Sequence, residues 1–178
     1  MSLIQAIKSE IDDANIWTKD LTLSRNEFLQ VKGSKDTNLY YIVNGSLRIF
    51  VVDGVEEHTI RFGYRENIIT ALDTYLTGRP SELYIQAIKK TVLKVTTKEL
   101  FTKLIQSGPD NLQLWQQVVE GLMFQQMERE MDILTSSPVE RYNRVQKRSP
   151  QLFQEIPNKY IASYLRMTPE TLSRIKKS

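Results

Sequence analysis

Tyr160-Ile161-Ala162-Ser163-Tyr164-Leu165-Arg166-Met167-Thr168-Pro169-Glu170-Thr171-Leu172-Ser173-Arg174-Ile175 places two short apolar-periodic segments on either side of a turn. The segment from Ile156 to Leu165 reads as a helix, with Ile161 and Leu165 four apart and facing inward and the small Ala162 permitting a close helix crossing. Arg166-Met167 makes a turn. Thr168-Pro169-Glu170 then opens a second helix with three agreeing signals: a capping hydroxyl, a proline at the first helical position and an acid in the first turn. Leu172 and Ile175 anchor this helix, leaving Pro169, Glu170, Ser173, Arg174 and Lys177 outward. The pattern is that of a helix-turn-helix with one departure. Such turns commonly carry glycine because φ is positive there, so Arg166 is expected to cost about 1 kcal/mol of left-handed strain.

Charge is distributed unevenly around this segment. Residues 141 to 178 hold nine Lys/Arg against Glu155 and Glu170, a net +7, whereas the first 140 residues hold 15 Lys/Arg and 19 Asp/Glu, a net −4. That asymmetry suggests a polyanion-binding tail on an ordinary domain. A solvated charged face is the plainer alternative on charge alone.

Upstream, Leu112, Trp115, Val119, Leu122, Met123, Met127, Met131 and Leu134 recur at steps of three and four between Pro109 and Ser136-Ser137-Pro138. This predicts a helix of about 25 residues, roughly 37 Å long at 1.5 Å per residue. Its apolar residues spread over more than one seam, so one face is expected to pack on its own domain and another on a symmetry mate. The residues named for that dimer contact are Trp115, Val119, Leu122 and Met123. A short helix from Val139 to about Arg148 is expected after the Pro138 break.

Nearer the N-terminus, Leu3, Ile4, Ile7 and Ile11 predict a short amphipathic helix that Ser2 can cap. From Glu27 the texture changes to β-branched and aromatic runs: Phe28 to Val31, Leu39 to Val43, Leu47 to Val52, His58 to Phe62, Leu83 to Ile88 and Thr91 to Val95. Asn44-Gly45 and Asp53-Gly54 suit tight hairpin turns, which makes Leu39 to Phe62 a meander. Ile69 to Leu76 reads as one or two helical turns between strands. Short strands with turn signals favour an antiparallel β-roll, barrel or sandwich over a parallel sheet.

Composition removes several chemistries. The 178 residues are 40% hydrophobic and 25% charged, within the range of globular proteins. Without cysteine there is no disulfide, thiolate-bound zinc, cysteine-ligated cluster or thiol nucleophile. The one histidine, His58, follows Glu56-Glu57 on a hairpin and reads as a surface residue, not a haem ligand; no metal site or cofactor is expected. No apolar run is long enough to span a membrane, and Met1-Ser2-Leu3-Ile4 lacks a signal-peptide pattern, so a cytoplasmic location is expected.

The whole chain resembles the Crp/Fnr family, that of the catabolite activator (cyclic-AMP receptor) protein and the fumarate–nitrate reduction regulator. Tyr160 to Leu165 followed by Thr168 to Ile175 is similar to the recognition segment of members common in Bacteroidetes. Asn26-Glu27-Phe28-Leu29 and Leu39-Tyr40-Tyr41-Ile42-Val43-Asn44-Gly45-Ser46-Leu47-Arg48 resemble the opening of the family's cyclic-nucleotide-binding-type β-roll. The resemblance implies an α+β fold: a β-roll sensor over residues 1–108, a long dimerisation helix over 109–136 and an all-α helix-turn-helix domain over 137–178. It also implies a dimeric regulator that binds double-stranded DNA. The hairpin wing that follows the recognition helix in other members is expected to be lacking here.

Carried over by position, base reading falls to Glu170 and Arg174, with Thr171 and Ser173 beside them. An arginine pairs bidentately with guanine, and a carboxylate accepts from a cytosine amino group. Lys159, Thr168, Lys176 and Lys177 are candidates for the phosphate backbone. At the sensor the resemblance weakens: alignment through Ile85-Gln86-Ala87 puts Ser81-Glu82-Leu83 where nucleotide binders carry Arg-Ser/Thr-Ala. The phosphate arginine is missing, so cyclic AMP is expected to bind weakly or not at all. Glu66, Asp73, Arg79, Ser81 and Glu82 outline a shifted effector pocket, with an unknown small molecule or no effector at all as the alternatives. Two other classes compete with the regulator: a sensor or scaffold of the same fold that has lost DNA binding, and a cupin-like metalloenzyme, which a single histidine disfavours.

Overall fold

The computed structural model describes residues 2–177. Helix α1 (Leu3–Asp13) opens with the expected cap: Ser2 Oγ accepts from the Gln5 amide at 3.2 Å, and the Gln5 side chain accepts from the Ser2 amide at 3.1 Å. Its apolar period buries Ile7 and Ile11. Eight strands follow among the described residues: β1 (Lys19–Leu23), β2 (Phe28–Gln30), β3 (Leu39–Asn44), β4 (Ser46–Asp53), β5 (Glu56–Tyr64), β6 (Ile68–Ile69), β7 (Tyr84–Ala87) and β8 (Thr91–Thr96). Helix α2 (Leu72–Thr77) interrupts them where the helical turns were expected.

The strands make two four-stranded antiparallel sheets, ordered β1-β8-β3-β6 and β2-β7-β4-β5. Ile42, Leu47, Ile49, Ile85, Leu93 and Val95 fill the space between them. The α+β architecture and the antiparallel β-roll are therefore as expected. The meander is not. β3 and β4 lie in different sheets, so Asn44-Gly45 is a corner at which the chain changes sheet, and only Asp53-Gly54 closes a hairpin, between β4 and β5. Gly45 has φ +103°, and a Cβ there would stand 2.5 Å from Thr91 Cα and 2.6 Å from the Lys90 carbonyl oxygen. Ser46 N–H completes the corner by donating to Thr91 Oγ1 at 3.1 Å. Glycine is thus needed for close approach as well as for its dihedral angle.

Helix α3 (Lys98–Ile105), unanticipated from sequence, is capped by Thr97 and buries Phe101 and Ile105. Helix α4 (Pro109–Leu134) has 26 residues, about 39 Å. The chain ends in a small helical head: α5 (Pro138–Arg148), α6 (Pro150–Glu155), α7 (Asn158–Tyr164) and α8 (Pro169–Ile175). α7 begins later than Ile156 because Pro157 is the extended residue ahead of it. Ile161, Ala162, Leu165 and Leu172 form the head's core with Tyr142, Val145, Leu152 and Ile156, and that core continues onto Phe62 and Ile88 of the roll. Among the described residues, no helix is long and apolar enough to cross a membrane.

The Gly45 corner gives a direct test. Gly45→Ala should cost about 3 kcal/mol through backbone strain and overlap with Thr91, read as a lower urea midpoint at unchanged slope. An unchanged midpoint would show that the corner can move.

Candidate nucleic-acid interface and effector region

Helix α8 starts as the sequence requires: Thr168 Oγ1 accepts from the Thr171 amide at 3.2 Å, and Pro169 occupies the first turn. Leu172 is fully buried and Ile175 half-buried, so spacing of three and four puts Glu170, Ser173 and Arg174 together on the exposed side, with Lys177 just past the helix end. Hydrogen bonds from its own amide and from Thr168 hold the Glu170 carboxyl below the usual glutamate range. Thr171 is half-buried beside this face, and Arg174 Nη2 lies 3.5 Å from its hydroxyl. Lys159 and Lys177 are exposed, whereas Lys176 Nζ donates to Asn158 Oδ1 at 2.9 Å and so ties α8 to α7.

The turn between α7 and α8 is where Arg166 takes its left-handed conformation, φ 53°. Two arginines hold it. Arg141 Nε donates to the Leu165 carbonyl at 2.9 Å and Nη2 to the Arg166 carbonyl at 3.2 Å, while Nη1 reaches back to the Thr135 and Ser136 carbonyls at 2.6 and 3.1 Å. Arg129 Nη2 donates to the Tyr164 carbonyl, and its guanidinium lies 3.7 Å from the centroid of the Tyr164 ring. Asp132, fully buried on α4, accepts from Arg144 Nε at 3.1 Å and from Arg148 of α5. The elbow between α4 and α5 is therefore bolted to the helix-turn-helix turn.

Sequence reasoning missed these residues, although a signal existed. Val118, Leu122, Arg129 and Asp132 fall on one helical row, as do Arg141 and Val145, so charged side chains occupy positions where the period calls for apolar ones. The head also docks on β5. Ser163 Oγ donates to the Glu57 carbonyl at 3.2 Å and accepts from the Thr59 amide at 3.3 Å. Arg48 lies between the Phe50 and Tyr160 rings at 4.0 and 4.7 Å, bonded to Gln86 and Glu57.

Helix α4 has two apolar faces. Trp115 packs edge-on against Phe101 at 5.0 Å, and Leu122 leans on the cluster built around Val118, Ile7 and Phe101. Those two residues face their own chain. Val119 is half-buried and Met123 is 68% exposed, on a second face with Leu112, Met127, Met131 and Leu134, all exposed.

Of the effector residues, the structure brings Asp73, Ser81 and the backbone of Glu82 into one knot. The Asp73 carboxylate accepts from Ser81 Oγ at 2.9 Å, from the Glu82 amide at 2.8 Å and from the Thr74 amide at 2.8 Å. Buried Ser81 in turn accepts from the Leu83 amide at 3.0 Å. Arg79 is exposed on the same loop, the Glu82 side chain pairs with Lys32, and Glu66 is exposed in a left-handed turn between β5 and β6. Among the described residues, no group of three or more His, Cys, Asp or Glu side chains is placed to hold a metal ion.

No family model and no curated protein sequence matches this chain. Solved structures do. FixK2 from Bradyrhizobium japonicum is similar with a TM-score of 0.74 at 15% identity, over 89% of this chain and 82% of that one. A CooA mutant from Carboxydothermus hydrogenoformans gives 0.73 at 14%, over 99% and 83%. The Thermus thermophilus catabolite activator protein gives 0.56 at 19%, over 95% and 81%. These neighbours are Crp/Fnr-family regulators. At such identities the likeness shows the fold.

Removing the clamp tests its role. Arg141→Ala leaves four carbonyls without their donor and should lower stability by about 2–4 kcal/mol, read by thermal or urea unfolding. A loss below about 0.5 kcal/mol, the scale of an ordinary surface substitution, would contradict this arrangement.

Proposed function

We propose that this chain is a homodimeric, sequence-specific DNA-binding transcription regulator of the Crp/Fnr type, a cytoplasmic binding protein and not an enzyme. The observation that carries the reading is helix α8: anchored by Leu172, opened by the Thr168 cap and presenting Glu170, Ser173 and Arg174 on one exposed face. In a major groove, Arg174 would pair with guanine O6 and N7 and Glu170 would accept from a cytosine amino group, with Thr171 and Ser173 alongside. Lys159, Thr168, Lys176 and Lys177 would meet phosphates. The recognition string is of the type seen in Bacteroidetes members of the family.

The division of labour follows the expected boundaries: residues 1–108 as a sensor-type roll, 109–136 as the dimer helix and 137–178 as the DNA-binding head. The second apolar face of α4, Leu112 to Leu134, is the surface on which a second copy would pack. Of the four residues first named there, Val119 and Met123 fit, while Trp115 and Leu122 have packing partners in their own chain. Cyclic AMP is not the effector in this reading. Ser81 stands where a phosphate arginine is expected, and the loop's donors already serve the Asp73 carboxylate. A different small molecule acting by population shift, or no effector, is compatible with that loop.

Two experiments test the proposal. Met127→Glu puts a charge on the second face and should convert a dimer of about twice 20.7 kDa into monomers in the ultracentrifuge; a wild-type chain that is monomeric at tens of micromolar would contradict the dimer. Arg174→Ala should cost about 1–3 kcal/mol per half-site on the preferred operator and flatten discrimination at one base pair, with non-specific binding mostly intact. Equal loss of specific and non-specific binding would mean that Arg174 only adds to a basic surface.

A further inference from the structure

We propose that Arg166 is a phosphate-binding residue, kept at a turn position that suits glycine because its guanidinium meets the DNA backbone beside the groove that α8 enters. The turn is a Schellman closure of α7: the Met167 amide donates to the Ala162 carbonyl at 3.0 Å and the Arg166 amide to the Ser163 carbonyl at 3.1 Å. Such a closure needs one left-handed residue just past the helix, and Arg166 supplies it with φ 53°. Glycine adopts that conformation without strain, whereas a residue with a Cβ does not.

Nothing inside the molecule calls for an arginine here. The bond from Arg141 and those of the closure all use the backbone of Arg166, which other residues provide equally. The side chain is exposed, and among the described residues it has no hydrogen-bond or ion-pair partner. Its charge also acts against its surroundings: burial pushes the pKa of Arg129 down, and the nearby Arg166 cation adds to that. The arginine thus burdens the fold twice, through its dihedral angle and through like charge. Strain of this kind is retained where it serves a function.

The place of the turn says which function. Arg166 lies two residues ahead of Thr168, the cap of α8. A recognition helix sets its N-terminal residues against base edges, so the turn before it lies at the groove wall, among the phosphates. A guanidinium there grips phosphate oxygens with paired N–H groups. The inference rests on the DNA-binding reading above and adds to it a residue particular to this chain, since such turns commonly carry glycine.

Stability and binding should move in opposite directions. The full chain, Arg166→Gly and Arg166→Lys would be compared by thermal unfolding and by titrating a short mixed-sequence DNA duplex across a salt series. Arg166→Gly relieves the strain and should raise the melting temperature by about 2–4 °C. The same variant should bind the duplex about 5-fold more weakly per head at about 0.15 M salt, with the salt slope about one unit shallower per head. Arg166→Lys keeps both strain and charge, so its melting temperature and salt slope should match those of the unaltered chain. A glycine variant that binds with undiminished affinity and slope would overturn the inference. So would one that melts lower, because the arginine would then be serving the fold. An unaltered chain with no salt-dependent binding of the duplex would overturn the DNA-binding reading itself, and this inference with it.

Discussion

Three consecutive carbonyls at the end of α7, those of Tyr164, Leu165 and Arg166, accept from two buried arginines, Arg129 of α4 and Arg141 of α5. A helix ends with carbonyls that lack intrahelical partners, and here that deficit becomes a joint. The cations also suit the negative end of a helix. Because Arg141 bonds the elbow carbonyls of Thr135 and Ser136 as well, the direction of α4, the bend into α5 and the turn into α8 are set by one side chain. The left-handed Arg166, which costs energy in isolation, is held by the same bonds. In the proposed dimer, the pose of two such helices would therefore fix the pose of two recognition helices.

Most of the head was legible because its signals are local. The Thr168-Pro169-Glu170 start, the inward Ile161, Leu165 and Leu172 and the positive φ of Arg166 all appear as read. The strands were also found except two: β1, which opens with Lys19-Asp20, and β6, which is only two residues long, too little for a period to show. Asn44-Gly45 misled because a glycine that satisfies a hairpin turn equally satisfies a sheet-to-sheet corner. Its contact with Thr91 is non-local. Helix α3 had its signals, a Thr97 cap with Phe101 and Ile105 four apart, and could have been read. The arginine joint was visible only as charges at apolar positions, which periodicity alone treats as noise.

Fold and function separate at the α2–β7 loop. The roll has the architecture of regulators that differ from it in more than four of every five residues, and sites, not folds, carry chemistry. In this loop the internal carboxylate of Asp73 takes the donors that an anionic ligand would need. The resemblance read in the sequence puts Ser81 where an arginine is expected, but it could not show that an acid eight residues earlier closes the loop on itself.

In the proposed dimer, two copies of this chain would read DNA through α8. Selection of duplexes from a random pool by the purified protein, with sequencing of the retained fraction, tests this. The expected result is enrichment of a pseudo-palindrome whose half-sites lie about 34 Å apart, one helical turn of DNA. Retention without sequence enrichment, or enrichment of a single unpaired site, would contradict it.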